Sequence, residues 1–244
     1  MRTPVTADDV LAAVGGAVDA LTPGGDWSAR AGDLEWTCWE TVEHIADDLV
    51  YYAMQLGVPA YERYLPLESA ARYPGGEPNA IRAEPAAGPK GLLAVLTASG
   101  ALLAAMVRVT PPDVRGHHTF GPADPEASAA MGVLETVVHT ADVARGLGLA
   151  YRPDPALCDR VLARLFPDVE PAPDPWATLR WATGRTALPD PAAWAGAGAT
   201  PPPEGCSAYT RAFGRPAPSC GQPSADQVRL RIPRREMPPA FASL

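Results

Sequence analysis

Two histidines and one glutamate form the group of residues in this 244-residue chain that is best suited to metal chemistry. Glu135 and His139 are four residues apart, a spacing that places both side chains one turn apart on the same face of a helix. Apolar residues surround the pair, so its burial costs free energy unless the two groups are paired or bind a cation. Together with His44 they make a common ligand set for a divalent metal with one open coordination position.

Simpler interpretations of these residues remain open at this point. A glutamate and a histidine at this spacing are often a surface ion pair, and His44, with Glu40 and Asp48 four residues away on either side, is often a solvated helix residue. If a metal does bind, it would lower the pKa of a bound water or bind a thiolate directly.

His118 is the candidate catalytic residue, because its position in the loop 111–124 allows it to reach the pocket as an acid, a base or a substrate contact. The alternative is an exposed loop histidine. We expect His117 to be exposed, and we expect Asp142 and Arg145 to have surface roles.

Four further residues have a possible role near such a site. Asp48 lies one turn beyond His44, where it either orients the imidazole or is a solvated helix acid. Cys38 lies in a first helical turn, where a thiolate is favoured. Trp39 and Tyr52 would line the mouth of a pocket, or pack in the core as aromatic residues on an apolar helix stripe usually do.

Helices must position these residues, because apolar residues recur at helical spacing and almost no segment alternates as a strand would. Thr6, Thr37 with Glu40, and Asp124 are expected to cap three of the helices. Four long helices joined by loops predict an all-α fold, an antiparallel four-helix bundle with one or two extra small helices. The predicted helices cover residues 6–21, 37–57, 89–110, 125–147, 155–165 and 174–184.

Composition and charge limit the classes of function. With 28 acidic and 20 basic side chains the net charge is -8, which argues against a nucleic-acid partner. The apolar segment 89–110 would make only a poor membrane span, because polar and small residues interrupt it, so we expect a core helix and no membrane. Four cysteines without metal-knuckle spacing and an N-terminus without an apolar signal core favour a cytoplasmic protein.

Three regions are expected along the chain. Residues 1–150 form the metal-binding bundle, and residues 151–199 form a short helical extension packed on it. Residues 200–244 are rich in proline and hold six arginines against three acids, a net charge of +3. Such a composition predicts an extended or partly disordered tail.

Several sequence blocks resemble those of one protein family. Residues 37–47 (TCWETVEHIAD), 118–126 (HTFGPADPE), 131–144 (MGVLETVVHTADVA) and 176–194 are similar to segments of the DinB-like proteins, and most similar to the N-terminal domain family of the mycothiol-dependent maleylpyruvate isomerases. The resemblance implies a DinB-like four-helix bundle, in which the positions matching the zinc-type ligands are His44, Glu135 and His139.

The resemblance also implies an activity. Members of the family use the metal to bind and activate the thiol of a small cofactor, mycothiol, for isomerisation or S-transfer to an electrophilic substrate. The isomerase carries a further C-terminal α/β domain, for which residues 195–244 are too short and too rich in proline, so maleylpyruvate isomerisation is not expected here. The alternatives are a non-catalytic metal-binding module with a binding or regulatory role, and a metal-assisted hydrolase. The substrate, the metal and the oligomeric state stay open.

Overall fold

The computed structural model describes residues 2–59, 61, 63–118, 121–169 and 173–186, and within them the regular structure is helical. Outside the helices, the β-type pairing among these residues consists of three isolated β-bridges. The all-α prediction is therefore confirmed for the described part of the chain. The prediction for residues 200–244 lies outside the described residues. The helices are α1 (Ala7–Leu21), α2 (Cys38–Gly57), α3 (Gly88–Val109), α4 (Pro125–Gly146), α5 (Pro155–Leu165) and α6 (Pro175–Ala182), with a 3-10 turn at Pro85–Ala87.

The helix starts follow from capping residues. Thr6 and Thr37 each accept a hydrogen bond from the backbone N–H three residues on, while Asp9 and Glu40 bond back to the cap, so both helices begin with a full capping box. Asp124 caps α4 and is followed by proline at the first helical position. These local signals explain why the predicted boundaries agree with the observed ones.

Four long helices pack into one core. Helices α1 and α2 each pack against both α3 and α4, so α1 and α2 lie across the bundle from one another. Helix α4 is the most enclosed, because α5 also packs against it, and α6 packs against α5. Most side chains of α4 are consequently buried, including the polar residues Glu135, His139 and Asp142.

Small residues let α4 approach its neighbours closely. A Cβ atom placed on Gly132 would lie 2.5 Å from Leu103 Cδ2 and 3.0 Å from Leu49 Cδ2. Any larger side chain there would force the side chains of Leu103 and Leu49 to move. Because Gly132 precedes Glu135 by one turn, this close approach brings the carboxylate near α2.

Helix α3 combines high hydropathy with a packed face. With the preceding 3-10 turn it is long and apolar enough to cross a membrane by length and composition, with a mean hydropathy of 2.0 over its most apolar window. In the structure its buried face, which includes Leu92, Leu96 and Leu103, packs in the bundle core. That burial agrees with the expected core helix.

Candidate metal centre

His44 comes from α2, two turns after the capping box. The capping box sets the start of the helix, and the buried residues Val42, Ile45 and Leu49 fix which face turns inward. His44 lies at the edge of that face, with 12% of its side chain exposed. This position allows the imidazole to reach towards α4 while one edge stays accessible.

Glu135 and His139 come from the neighbouring face of α4, and both are buried. Their side chains meet one turn apart, with 3.2 Å between Glu135 Oε2 and His139 Nε2. The imidazole rings of His44 and His139 are perpendicular, with centroids 5.0 Å apart. One donor atom from each of the three residues lies within 4.8 Å of the other two, so helices that are distant in sequence bring the three groups together.

The electrostatics of the site favour a cation. Burial alone would lower the pKa of His139, but the carboxylates of Asp142 and Glu135 outweigh burial and raise that pKa. Burial would raise the pKa of Glu135, yet His139, with additional positive charge from His44 and Arg185, lowers it. Glu135 is therefore ionised, and positive charge is stabilised between it and the imidazoles.

The donor set fits a divalent metal in chemistry, and its Glu135–His139 pair has a suitable spacing. Two ligands that are each bonded to a tetrahedral zinc ion lie about 3.3 Å apart, given bond lengths of about 2.0–2.1 Å. The observed 3.2 Å between Glu135 Oε2 and His139 Nε2 agrees with that separation. Two imidazoles and one carboxylate could hold zinc or a similar ion and leave a fourth position for another ligand.

Trp36 forms an apolar wall of the site. Its indole ring lies 5.0 Å from the ring of His44 and 6.0 Å from the ring of His139, measured between centroids. The residue directly precedes the Thr37 cap of α2, so the start of that helix fixes its place. Our sequence analysis did not identify Trp36, although its position next to a capped, histidine-bearing helix was a usable signal.

Comparison with known proteins agrees with this geometry. The profile of the mycothiol maleylpyruvate isomerase N-terminal domain family matches residues 7–144, which is more than half of the chain. The chain belongs to this family. No curated protein and no solved structure matches it. The matched region runs from the start of α1 almost to the end of α4, so it contains all three candidate ligands of the family domain.

Asp142 differs from the surface residue expected from the sequence. It is buried on α4, and its Oδ2 lies 3.4 Å from His139 Nδ1. Arg185, beyond the family domain, donates to the same oxygen from Nε and Nη2. Its spacing of three residues from His139 places Asp142 on the face of α4 that carries the candidate ligands. The sequence analysis did not use this spacing and therefore missed the burial of Asp142 and its contact with Arg185. Arg145 is on the surface as expected, where it pairs with Asp33.

Two carboxylates lie beside His44. Asp48, one turn further along α2, has its Oδ2 3.5 Å from His44 Nε2, and Glu77 Oε1, from the loop after α2, lies 4.0 Å from His44 Nδ1. The loop carrying Glu77 is anchored to α2, because Glu43 pairs with Arg72 and accepts a hydrogen bond from the backbone N–H of Ala83. No sequence pattern pointed to Glu77, since its place depends on how this loop folds back.

His118 is buried beside two tyrosines instead of being exposed in its loop. The imidazole centroid lies 6.1 Å from the ring of Tyr52 and 6.2 Å from that of Tyr64. Burial lowers the pKa of His118 to about 4, although the charge of Glu135 acts in the opposite direction, so the ring is neutral at pH 7. The expected exposure of His117 is wrong, because it is half-buried with its ring 5.0 Å from that of Tyr64.

Cys38 does not have the environment of a reactive thiolate. It is fully buried, its Sγ lies 3.7 Å from the carbonyl oxygen of Val143, and burial raises its pKa to about 11. The favourable position at a helix start is therefore outweighed by loss of water. Tyr52 is buried as a core residue next to His118, and Trp39 packs against the core with Arg72 above its ring.

Proposed function

We propose that this chain is a divalent-metal-dependent enzyme of the mycothiol-dependent type. It would use a metal-activated thiol either for S-transfer to an electrophilic substrate or for isomerisation of that substrate. The ligands are His44, Glu135 and His139. The observation that carries the proposal is the meeting of these three donor atoms within 4.8 Å in a largely buried site. The family name supports a thiol cofactor, because it refers to an isomerase that uses mycothiol.

The surrounding side chains suit a small electrophilic substrate and a thiol. A bound divalent metal supplies Lewis acidity and lowers the pKa of a thiol or water on its open side. Trp36 limits access of water beside both histidines, and Glu77 with Asp48 adds negative charge around His44. His118 contributes as a neutral hydrogen-bonding contact for substrate, since a pKa near 4 makes it a poor proton acceptor.

Zinc and mycothiol are the cofactors that we assign to this site. Nitrogen and carboxylate ligands in a three-residue set are typical of catalytic zinc, and buried anionic groups favour a dication over a monovalent ion. We expect a cytoplasmic protein without a nucleic-acid or membrane partner, given the net charge of -8.

The experiment begins with metal analysis of protein purified without a histidine tag, before and after reconstitution. We expect about one equivalent of zinc in the wild type and a small fraction of that in His139→Ala. Thermal-shift titration with mycothiol then separates the candidate functions. Stabilisation by the thiol that requires the metal supports the enzyme, whereas tight metal binding without any thiol response supports a non-catalytic module. A content below about a tenth of an equivalent after reconstitution contradicts both.

A further inference from the structure

Arg185 reaches the metal centre from outside the family domain. It follows α6, which packs on α5. The family match ends at residue 144, so this residue belongs to the segment that the family profile does not cover. A contribution of this segment to the site would make the extension part of the metal centre.

The end of α6 directs the chain towards α4. Gly184 has a φ of 74°, and its N–H bonds to the carbonyl of Trp181, while the N–H of Arg185 bonds to the carbonyl of Arg180. This pair of bonds is the Schellman motif, which requires a left-handed residue after the helix and is favourable for glycine. The motif fixes the backbone of Arg185 and therefore the direction from which its side chain approaches.

Arg185 and His139 meet at one oxygen of Asp142. Arg185 Nε and Nη2 each lie 3.3 Å from Asp142 Oδ2, and His139 Nδ1 lies 3.4 Å from the same atom. Only 10% of the Arg185 side chain and 7% of the Asp142 side chain are exposed. The contact is thus largely shielded from water. Charge pairs in such surroundings are stronger, and depend more on geometry, than charge pairs at a surface.

We propose that Arg185 is a positioning residue of the metal site, which holds Asp142 so that Asp142 fixes the ring of His139 with Nε2 towards Glu135. The inference rests on the proposed function above and deepens it. A histidine ligand has two ring nitrogens, and the partner of the nitrogen that does not bind metal determines the ring orientation. Asp142 is the carboxylate that faces His139 Nδ1, at 3.4 Å, and Arg185 restrains this carboxylate.

The charges agree with this role. Asp142 is a buried carboxylate, and its Oδ2 lies close to both the guanidinium of Arg185 and the imidazole of His139. Without Arg185, the buried carboxylate of Asp142 would lose its neighbouring cation. Its side chain would then be free to rotate towards other hydrogen-bond donors. Loss of a partner that orients a ligand typically weakens metal affinity by about 10- to 100-fold.

The fold permits a test that separates positioning from stability. Helix α6 is anchored by the buried side chains of Trp176 and Leu179, which do not depend on the Asp142 contact. Arg180 is a matched control, because it is an arginine of the same helix that lies over the ring of Trp176, 5.9 Å from its centroid. Truncating Arg180 removes a similar charge and stem without touching Asp142.

The experiment measures zinc affinity by chelator competition, together with the visible spectrum of the cobalt-substituted protein, in the full chain. We expect Arg185→Ala and Asp142→Asn each to weaken zinc binding by about 10- to 100-fold and to alter the cobalt spectrum. Arg180→Ala should stay within about twofold of wild type. Arg185→Lys, which keeps the charge but not the two-nitrogen contact, should fall between wild type and Arg185→Ala.

The double variant Arg185→Ala with Asp142→Asn decides whether the two residues act as one unit. We expect its zinc affinity to lie within about threefold of Asp142→Asn alone, because residues that act through the same contact are not additive. Fully additive losses, or an Arg185→Ala variant with wild-type affinity and cobalt spectrum, overturn the inference. A wild-type chain that binds neither zinc nor cobalt overturns the proposed function as well, so the two failures are distinguishable.

Discussion

At the scale of single residues, the three candidate ligands differ in how firmly the fold directs them. Glu135 and His139 are buried one turn apart on the same helix, whereas His44 comes from the facing helix and is partly accessible. Two ligands are consequently preorganised by one rigid element, which lowers the entropy lost when an ion binds. The third ligand closes the site from α2.

We predict that His139→Ala and His44→Ala abolish tight zinc binding, while His118→Ala retains it. Two remaining ligands rarely hold a catalytic metal, but His118 contacts tyrosines and is not among the three grouped donors.

Glu135→Gln should keep the fold and lose affinity for zinc, because the amide lacks the charge that offsets the dication. Calorimetric titration with zinc checks all four variants. Loss of binding in His118→Ala with retention in His139→Ala would show that the ligand assignment is wrong.

His118 predicts a pH-dependent part of the stability. Its folded pKa of about 4 is depressed below the unfolded value of about 6.5, so the folded state binds fewer protons and stability is lost as the pH falls from 6.5 towards 4. Between pH 7.5 and 5.0, wild type should lose about 1–2 kcal/mol more unfolding free energy than His118→Gln.

Urea denaturation in the presence of a chelator measures this difference without contributions from bound metal. The contribution is fully present only about one pH unit above 6.5, so the gap between the two proteins should be constant above about pH 7.5. An identical pH dependence of wild type and His118→Gln down to pH 5.0 would show that His118 titrates normally in the folded state.

At the scale of elements, the connection between α2 and α3 is anchored by charge. The Glu43 carboxylate is 1% exposed and pairs with Arg72 from the loop, which also donates to the carbonyl oxygen of Ala83. Asp47 accepts hydrogen bonds from the backbone N–H groups of Ala80 and Ile81. Glu43 and Asp47 of α2 thus hold the segment that carries Glu77 through polar contacts.

We predict that Arg72→Ala destabilises the protein by about 2–4 kcal/mol, because it leaves the Glu43 charge buried without its cation. Arg82→Ala, an exposed arginine of the same connection, should change stability by less than about 0.5 kcal/mol. Denaturant unfolding measures both. Adding Glu43→Gln to Arg72→Ala should restore part of the loss, and a double variant that is less stable than Arg72→Ala alone would contradict the explanation.

At the scale of the whole molecule, the proposed metal binding would be linked to folding. The candidate ligands come from α2 and α4, which are far apart in sequence, so their donor atoms are grouped only when the bundle is folded. A ligand that binds only the folded state stabilises it by about 2.7 kcal/mol at a free concentration of 100 times its Kd. We therefore predict that zinc raises the Tm of wild type but not that of His139→Ala. Equal increases in both proteins would indicate zinc binding elsewhere on the chain.

The sequence by itself determined the helices and a candidate ligand set. Capping residues and apolar periodicity are local signals, so the starts of α1, α2 and α4 could be predicted closely. The pairing of Glu135 with His139 followed from helical spacing, and His44 completed a common ligand set that the family resemblance also implies. The family assignment is confirmed, and the grouping of the three donor atoms agrees with the expected site.

Tertiary structure decided everything that depends on contacts between distant segments. Burial made Cys38 an inert thiol and His118 a neutral imidazole, although both lie where sequence signals favour exposure or reactivity. The same enclosure of α4 turned Asp142 from an expected surface acid into the partner of His139 and Arg185. No local pattern encodes these environments, because desolvation and charge pairing arise only when α6, the loops and α4 pack together.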